Sequence, residues 1–62
     1  MDERITPKAA RVNANLKQAE AAEKLGVGVS RLIRYEKYPD VIPAGMLRKM
    51  AELYRVSVRL LI

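Results

Sequence analysis

The sequence predicts an all-α fold built from short helices, and three observations support this prediction. Its 62 residues allow one domain, spanning 1–62, with a single small core. Half of the residues are hydrophobic, which is usual for a folded domain and too many for a disordered segment. Prolines, glycines and asparagines divide the chain into short stretches, and the apolar residues in most of them follow helical spacing.

The first helix is predicted to begin at Thr6-Pro7 and to run from Lys8 to Ala14. A threonine hydroxyl can cap the first turn, and proline suits the first helical position because its missing N–H has no partner there. The asparagines around Ala14 tolerate left-handed backbone, so the helix is expected to end among them.

The next two helices are joined by a short turn, as in a helix-turn-helix. The second helix covers about 17–25 and ends at Gly26, where a left-handed glycine is common. The third covers about 28–37 and stops before a proline, because the residue preceding proline is pushed out of helical geometry. The motif needs a small residue at the helix crossing, a glycine in the turn and an apolar residue on the inner face, and Ala22, Gly26 and Leu32 meet these needs.

The C-terminal part is predicted to form a fourth helix, and its last residues fit two structures. A loop over Pro39–Pro43 precedes the helix, which runs from about Ala44 to Tyr54 with apolar residues at i, i+3, i+4 and i+7. Ser57 can cap a last short helix, Val58–Ile62. The same tail alternates and is β-branched, so a strand stays open as an alternative.

Composition and charge restrict the function of the domain. The absence of cysteine and histidine excludes disulfides, Cys/His zinc sites and catalysis by thiol or imidazole groups. The carboxylates are scattered, so we expect no enzyme, no cofactor, no metal and no small-molecule site. A net charge of +5 predicts a polyanionic partner, either nucleic acid or an acidic membrane surface. No helix combines a wide apolar face with a lysine-rich one, so the membrane alternative is disfavoured.

Residues over nearly the whole chain fall at the spacing of a known family. They are Arg11, Leu16, Gln18, Ala22, Leu25-Gly26-Val27, Leu32, Tyr35-Glu36, Leu47, Ala51 and Val56-Ser57-Val58. On these residues the chain resembles the lambda-repressor-like helix-turn-helix regulators, which include phage repressors, Cro-like proteins and small bacterial regulators. The resemblance implies five short helices around one core. It also implies a cytoplasmic, nucleoid-associated prokaryotic or phage transcriptional regulator, a repressor by expectation, whose partner is double-stranded operator DNA.

The resemblance further implies roles for individual residues. The positions that read bases in the major groove are Gly28, Val29, Ser30, Ile33 and Arg34. The residues expected to contact DNA phosphates are Gln18, Lys37 and Tyr38 by resemblance, Lys17 as a lysine at a helix N-terminus, and Arg31 on the outer face of the third helix. Arg11 and Glu36 match a partly buried ion pair that joins the first helix to the third.

Two helix starts depart from the family pattern. Relatives usually carry Thr, Ser or Asn at position 17, whereas Lys17 has no acceptor for the backbone N–H groups of the first turn. Gly28 stands where Ser or Thr is common and caps more weakly. These departures keep an alternative function open, a protein-interaction module such as the antitoxin of a toxin–antitoxin pair.

The apolar C-terminus has two interpretations. Leu60, Leu61 and Ile62 either close the core or form a dimer seam, since relatives dimerise through this segment. A seam of this size would support only a weak homodimer that pairs on DNA.

Overall fold

The computed structural model describes residues 4–61, which form four α-helices and two 3-10 helices. The α-helices are α1 (Pro7–Asn13), α2 (Gln18–Leu25), α3 (Val29–Lys37) and α4 (Ala44–Tyr54), and the 3-10 helices are Pro39–Val41 and Val58–Leu61. No strand occurs in residues 4–61, so the all-α prediction is confirmed there. The five-helix count is not confirmed, because the tail forms a 3-10 turn instead of a fifth α-helix or a strand. In the same part of the chain, no helix is long and apolar enough to cross a membrane.

Local chemistry sets both ends of α1. The Thr6 hydroxyl oxygen accepts a hydrogen bond from the Ala9 backbone N–H at 3.1 Å, and Pro7 occupies the first helical position. After the helix, Asn15 takes a left-handed conformation with φ of 61°, which turns the chain toward α2.

The turn between α2 and α3 depends on Gly26. This residue has φ of 76° and ψ of 28°, a left-handed conformation that a side chain would disfavour. The Val27 N–H then donates to the Ala22 carbonyl at 3.0 Å, which closes the end of α2. Ala21 and Ala22 are almost fully buried, and their small side chains allow α2 to lie close to its neighbours.

A single core forms beneath the helices. Its buried apolar members are Ala10, Ala21, Ala22, Leu25, Leu32, Tyr35, Ile42, Met50, Ala51, Tyr54 and Leu61. Leu32 and Met50 are completely buried, so α3 and α4 each contribute a side chain to the centre. Because Leu32 and Tyr35 hold one side of α3 in the core, the opposite side must face outward.

The C-terminal turn closes this core, so Leu61 follows the core-closing interpretation of the apolar C-terminus. Leu61 is only 2% exposed, so its side chain is already occupied within the protomer. Leu60 is half-buried, and its carbonyl accepts a hydrogen bond from the Ile5 N–H at 2.7 Å. Ile62, the third residue of the predicted seam, lies outside the described residues.

Candidate nucleic-acid interface

The outward side of α3 carries both apolar and basic side chains. Successive residues of a helix are about 100° apart, so the residues that do not share the core side with Leu32 and Tyr35 form one continuous face. That face, hereafter the α3 face, consists of Val29, Ser30, Arg31, Ile33, Arg34 and Lys37, all of them exposed. The structure therefore brings together on one surface most of the residues that the sequence assigned to bases and phosphates.

Both helices of the helix-turn-helix begin without a side-chain cap. Lys17 precedes α2 and Gly28 precedes α3, and neither makes a side-chain hydrogen bond to the first turn. The Lys17 backbone N–H instead donates a hydrogen bond to the Glu20 carboxylate, at 2.9 Å. An ammonium group has no lone pair to return, so the first-turn N–H groups of α2 receive no acceptor from Lys17.

A buried ion pair ties α1 to α3. Arg11 Nε donates to Glu36 Oε2 at 2.6 Å, and Arg11 Nη2 donates to Glu36 Oε1 at 3.3 Å. The two side chains are only 8% and 4% exposed, so this is a desolvated, bidentate pair. A third bond, from Arg11 Nη1 to the Leu16 carbonyl at 2.7 Å, also holds the turn between α1 and α2.

Gln18 joins the same network at the start of α2. Its Nε2 donates to Glu36 Oε1 at 3.1 Å, so the carboxylate of Glu36 accepts hydrogen bonds from two different helices. The network thereby sets where the N-terminus of α2 lies relative to α3. Gln18 is half-buried, which leaves part of its side chain at the surface.

Two hollows flank the α3 face. The first, hereafter the α1 hollow, has a volume of about 270 Å³ and is lined by Lys8, Gln18, Ile33, Glu36 and Lys37. The second, hereafter the turn hollow, is lined by Gly26, Val27, Gly28, Ser30, Arg31 and Arg34. Each hollow carries two cationic side chains, so the α3 face has positive charge on both sides.

The sequence analysis did not single out Lys8 as a candidate for the interface. It lies on α1, outside the helix-turn-helix, yet it lines the α1 hollow together with Gln18 and Lys37. The spacing between Lys8 and Arg11 could have indicated this position, because residues three apart lie on the same side of a helix. Since Arg11 points toward Glu36 on α3, Lys8 comes near the same helix.

The C-terminal end of α3 presents an aromatic side chain beside a cation. Tyr38 is half-exposed, and the Lys37 Nζ lies 5.5 Å from the centre of its ring. This distance is within the range of a cation–π contact, which keeps the ammonium group at the surface near the end of the helix.

Tyr54 of α4 lies within electrostatic range of the ion pair and has a buried hydroxyl group. Its side chain is buried, and among the described residues its Oη has no hydrogen-bond partner. Burial raises the pKa of Tyr54 to about 12, with a further rise from the negative charge of Glu36 and an opposing effect from Arg11. The phenol is therefore neutral at physiological pH.

The fold and the α3 face together define a helix-turn-helix domain with a basic, exposed third helix. A helix-turn-helix family model matches residues 8–61, which is most of the chain. The protein therefore belongs to the lambda-repressor-like helix-turn-helix family, and it is a DNA-binding helix-turn-helix regulator. Comparisons with curated proteins and with solved structures gave no match.

Proposed function

We propose that this chain is a transcriptional repressor that inserts α3 into the major groove of operator DNA and blocks a promoter by occupying it. The observation that carries the proposal is the position of the α3 face. Buried Leu32 and Tyr35 fix one side of the helix, and the exposed side lies between two hollows lined with cationic side chains. This arrangement suits a helix that reads base edges while its flanks meet the phosphates.

Base reading is assigned to the residue that precedes α3 and to the first two turns of the helix. The proposed residues are Gly28, Val29, Ser30, Ile33 and Arg34. Arg34 is the longest donor among them and matches the O6 and N7 acceptors of guanine, which a guanidinium group can contact with two hydrogen bonds. Gly28 has no side chain, so the backbone at the start of α3 can come close to the DNA.

Phosphate contacts are assigned to the residues of the α3 face that are not given to bases and to residues beside that face. The proposed set is Lys17, Gln18, Arg31, Lys37 and Tyr38, to which we add Lys8. Lys8, Gln18 and Lys37 share one hollow, so a single phosphate can lie between three polar side chains from three helices. The uncapped N-terminus of α2 favours an anion on the same side of the domain.

Operator binding is proposed to involve two protomers. One α3 helix of nine residues offers few base contacts, and tight specific binding normally needs two linked half-sites. The half-sites would lie about 34–36 Å apart, one turn of the double helix. Two of the predicted seam residues lie in the described part of the chain. Leu61 is buried, whereas Leu60 is half-buried, so part of the Leu60 side chain is available to a partner. The proposal also places the protein in the cytoplasm, on the nucleoid.

Binding to duplex DNA at two salt concentrations tests the proposed function. Duplexes recovered by the wild-type protein from a randomised pool are labelled, and affinity is measured by fluorescence anisotropy with an unrelated duplex as competitor. With about four to six phosphates contacted per protomer, affinity should fall by at least a hundredfold between about 50 and 200 mM salt. Absence of binding to any duplex at micromolar protein, or a flat salt response, would refute the proposal and favour a protein partner.

Matched variants separate base contacts from phosphate contacts. Arg34→Ala should cost about 1–3 kcal/mol on the selected duplex and relax the preference at one base pair. Lys8→Ala and Lys37→Ala should weaken binding to all sequences alike, and each should reduce the salt slope by about one. Lys24→Ala, on an exposed part of α2 that lines neither hollow, serves as the control and should change nothing.

A further inference from the structure

Two exposed apolar side chains interrupt the polar α3 face. Five large hydrophobic side chains are exposed in residues 4–61, and two of these belong to the α3 face: Val29 at 43% and Ile33 at 46%. They are four residues apart on one helix, so their side chains lie next to each other. The apolar side chains thus form a pair at one edge of the α3 face.

The position of this pair relative to Arg34 divides the α3 face. At about 100° per residue, Ile33 lies about 40° from Val29, whereas Arg34 lies about 140° from it. Ile33 also lines the α1 hollow, while Arg34 lines the turn hollow. Val29 and Ile33 therefore lie at one edge of the α3 face, next to the lysines of the α1 hollow, and Arg34 lies at the other edge.

The floor of the major groove offers few groups that suit an apolar side chain. Most of the base edges there are hydrogen-bond donors or acceptors, which lose water without compensation when an aliphatic group covers them. The C5-methyl group of thymine is the apolar exception. Contact between a methyl group and an aliphatic side chain removes apolar surface from water on both partners.

We infer that Val29 and Ile33 read the 5-methyl groups of thymines, an inference that rests on the proposed function. The two residues are about 6 Å apart along the axis of α3, and base pairs are stacked about 3.4 Å apart. The thymines they contact therefore lie on adjacent or next-but-one base pairs. Each half-site combines these thymines with a guanine that is read by Arg34 from the other edge of the α3 face.

Deoxyuridine provides a direct test, because it pairs like thymidine and lacks only the 5-methyl group. A duplex is first selected from a randomised pool with the wild-type protein, and each thymine is then replaced singly by uracil. Removing one contacted methyl group should weaken binding about fourfold, which corresponds to one buried methylene-sized group. Uracil at positions outside the half-sites should have no effect.

Alanine variants then assign each methyl group to a side chain. Val29→Ala should bind the thymine duplex more weakly and become insensitive to uracil at one position, and Ile33→Ala should do so at the other. Val12→Ala is the matched control, since Val12 is a helical valine exposed to 53% on α1. It should keep the full sensitivity of the wild type at both positions. All three substitutions change exposed residues, and thermal melts verify that each variant is folded.

Several results would overturn the inference. The first is that the wild-type protein binds thymine and uracil duplexes equally. The second is that the selected half-sites contain no thymine. The third is that the alanine variants respond to uracil as the wild type does. Equal binding to both duplexes with a steep salt dependence would refute methyl reading alone and leave the proposed function standing. Failure to bind any duplex in the pool would refute both.

Discussion

Replacing Glu36 by alanine tests how far the fold depends on the buried network at the back of α3. The carboxylate accepts three hydrogen bonds, from Arg11 Nε, Arg11 Nη2 and Gln18 Nε2. In the wild type Arg11 is only 7% exposed, and without the carboxylate the one remaining partner of its guanidinium in the network is the Leu16 carbonyl. Leaving one charge of a buried pair uncompensated costs about 3–5 kcal/mol.

This cost is large compared with the total stability of the domain. A 62-residue chain is expected to have an unfolding free energy of roughly 3–9 kcal/mol. Glu36→Ala should therefore lose a third or more of its stability, and its Tm should fall by more than about 10 °C. Urea denaturation and thermal melts followed by circular dichroism measure both quantities. Glu52→Ala, which removes an exposed carboxylate of α4, is the control and should stay within about 0.5 kcal/mol of the wild type.

The double variant Arg11→Met/Glu36→Leu isolates the reason for the loss. If Glu36→Ala is destabilising because a buried charge is left alone, then removing both charges should recover most of the stability. A Glu36→Ala variant that loses less than about 1 kcal/mol would refute the reasoning. A double variant as unstable as the single one would do the same, because it would show that packing and not charge determines the cost.

Three further predictions concern α2, α4 and the C-terminal turn. Lys17→Thr should stabilise the fold by about 0.5–2 kcal/mol because it supplies the missing cap, and it should weaken DNA binding at low salt if the ammonium contacts a phosphate. A lower Tm would contradict the cap assignment. Tyr54→Phe should raise the unfolding free energy by about 1 kcal/mol, because it removes a buried hydroxyl without a partner. Because the pKa of Tyr54 in the folded state, about 12, is above its ordinary value of 10.0, wild-type stability should fall as pH rises through this range. A Tyr54→Phe variant that loses as much stability there would contradict this linkage. Leu61→Ser should unfold the protomer, whereas Leu60→Ser should leave its Tm nearly unchanged and abolish cooperative binding to a duplex with two half-sites; cooperativity that survives Leu60→Ser would exclude this seam.

Much of the helix-turn-helix was predictable because its determinants lie within a few residues of one another. The Thr6-Pro7 start of α1 and the left-handed Gly26 after α2 are observed where the sequence placed them. Lys17 and Gly28 are observed as starting residues without side-chain caps, as their chemistry requires. The same local logic predicted which side of α3 faces outward, because Leu32 falls on its inner side; the structure adds Tyr35 to that side.

The tertiary structure decided what local chemistry left open. Leu60 and Leu61 are neighbours with the same side chain, yet Leu61 is buried in the core, whereas Leu60 is half-buried and its carbonyl pairs with the Ile5 N–H. Lys8 lines the α1 hollow together with residues of α3 because the Arg11–Glu36 pair joins α1 to α3 across 25 positions of sequence. Tyr54 has the spacing of an ordinary core residue, and its unpartnered hydroxyl follows from the side chains that surround it. Backbone preferences act over a single turn, so the sequence by itself determined the helices and the outward side of α3, whereas packing between distant helices determined which side chains share a site.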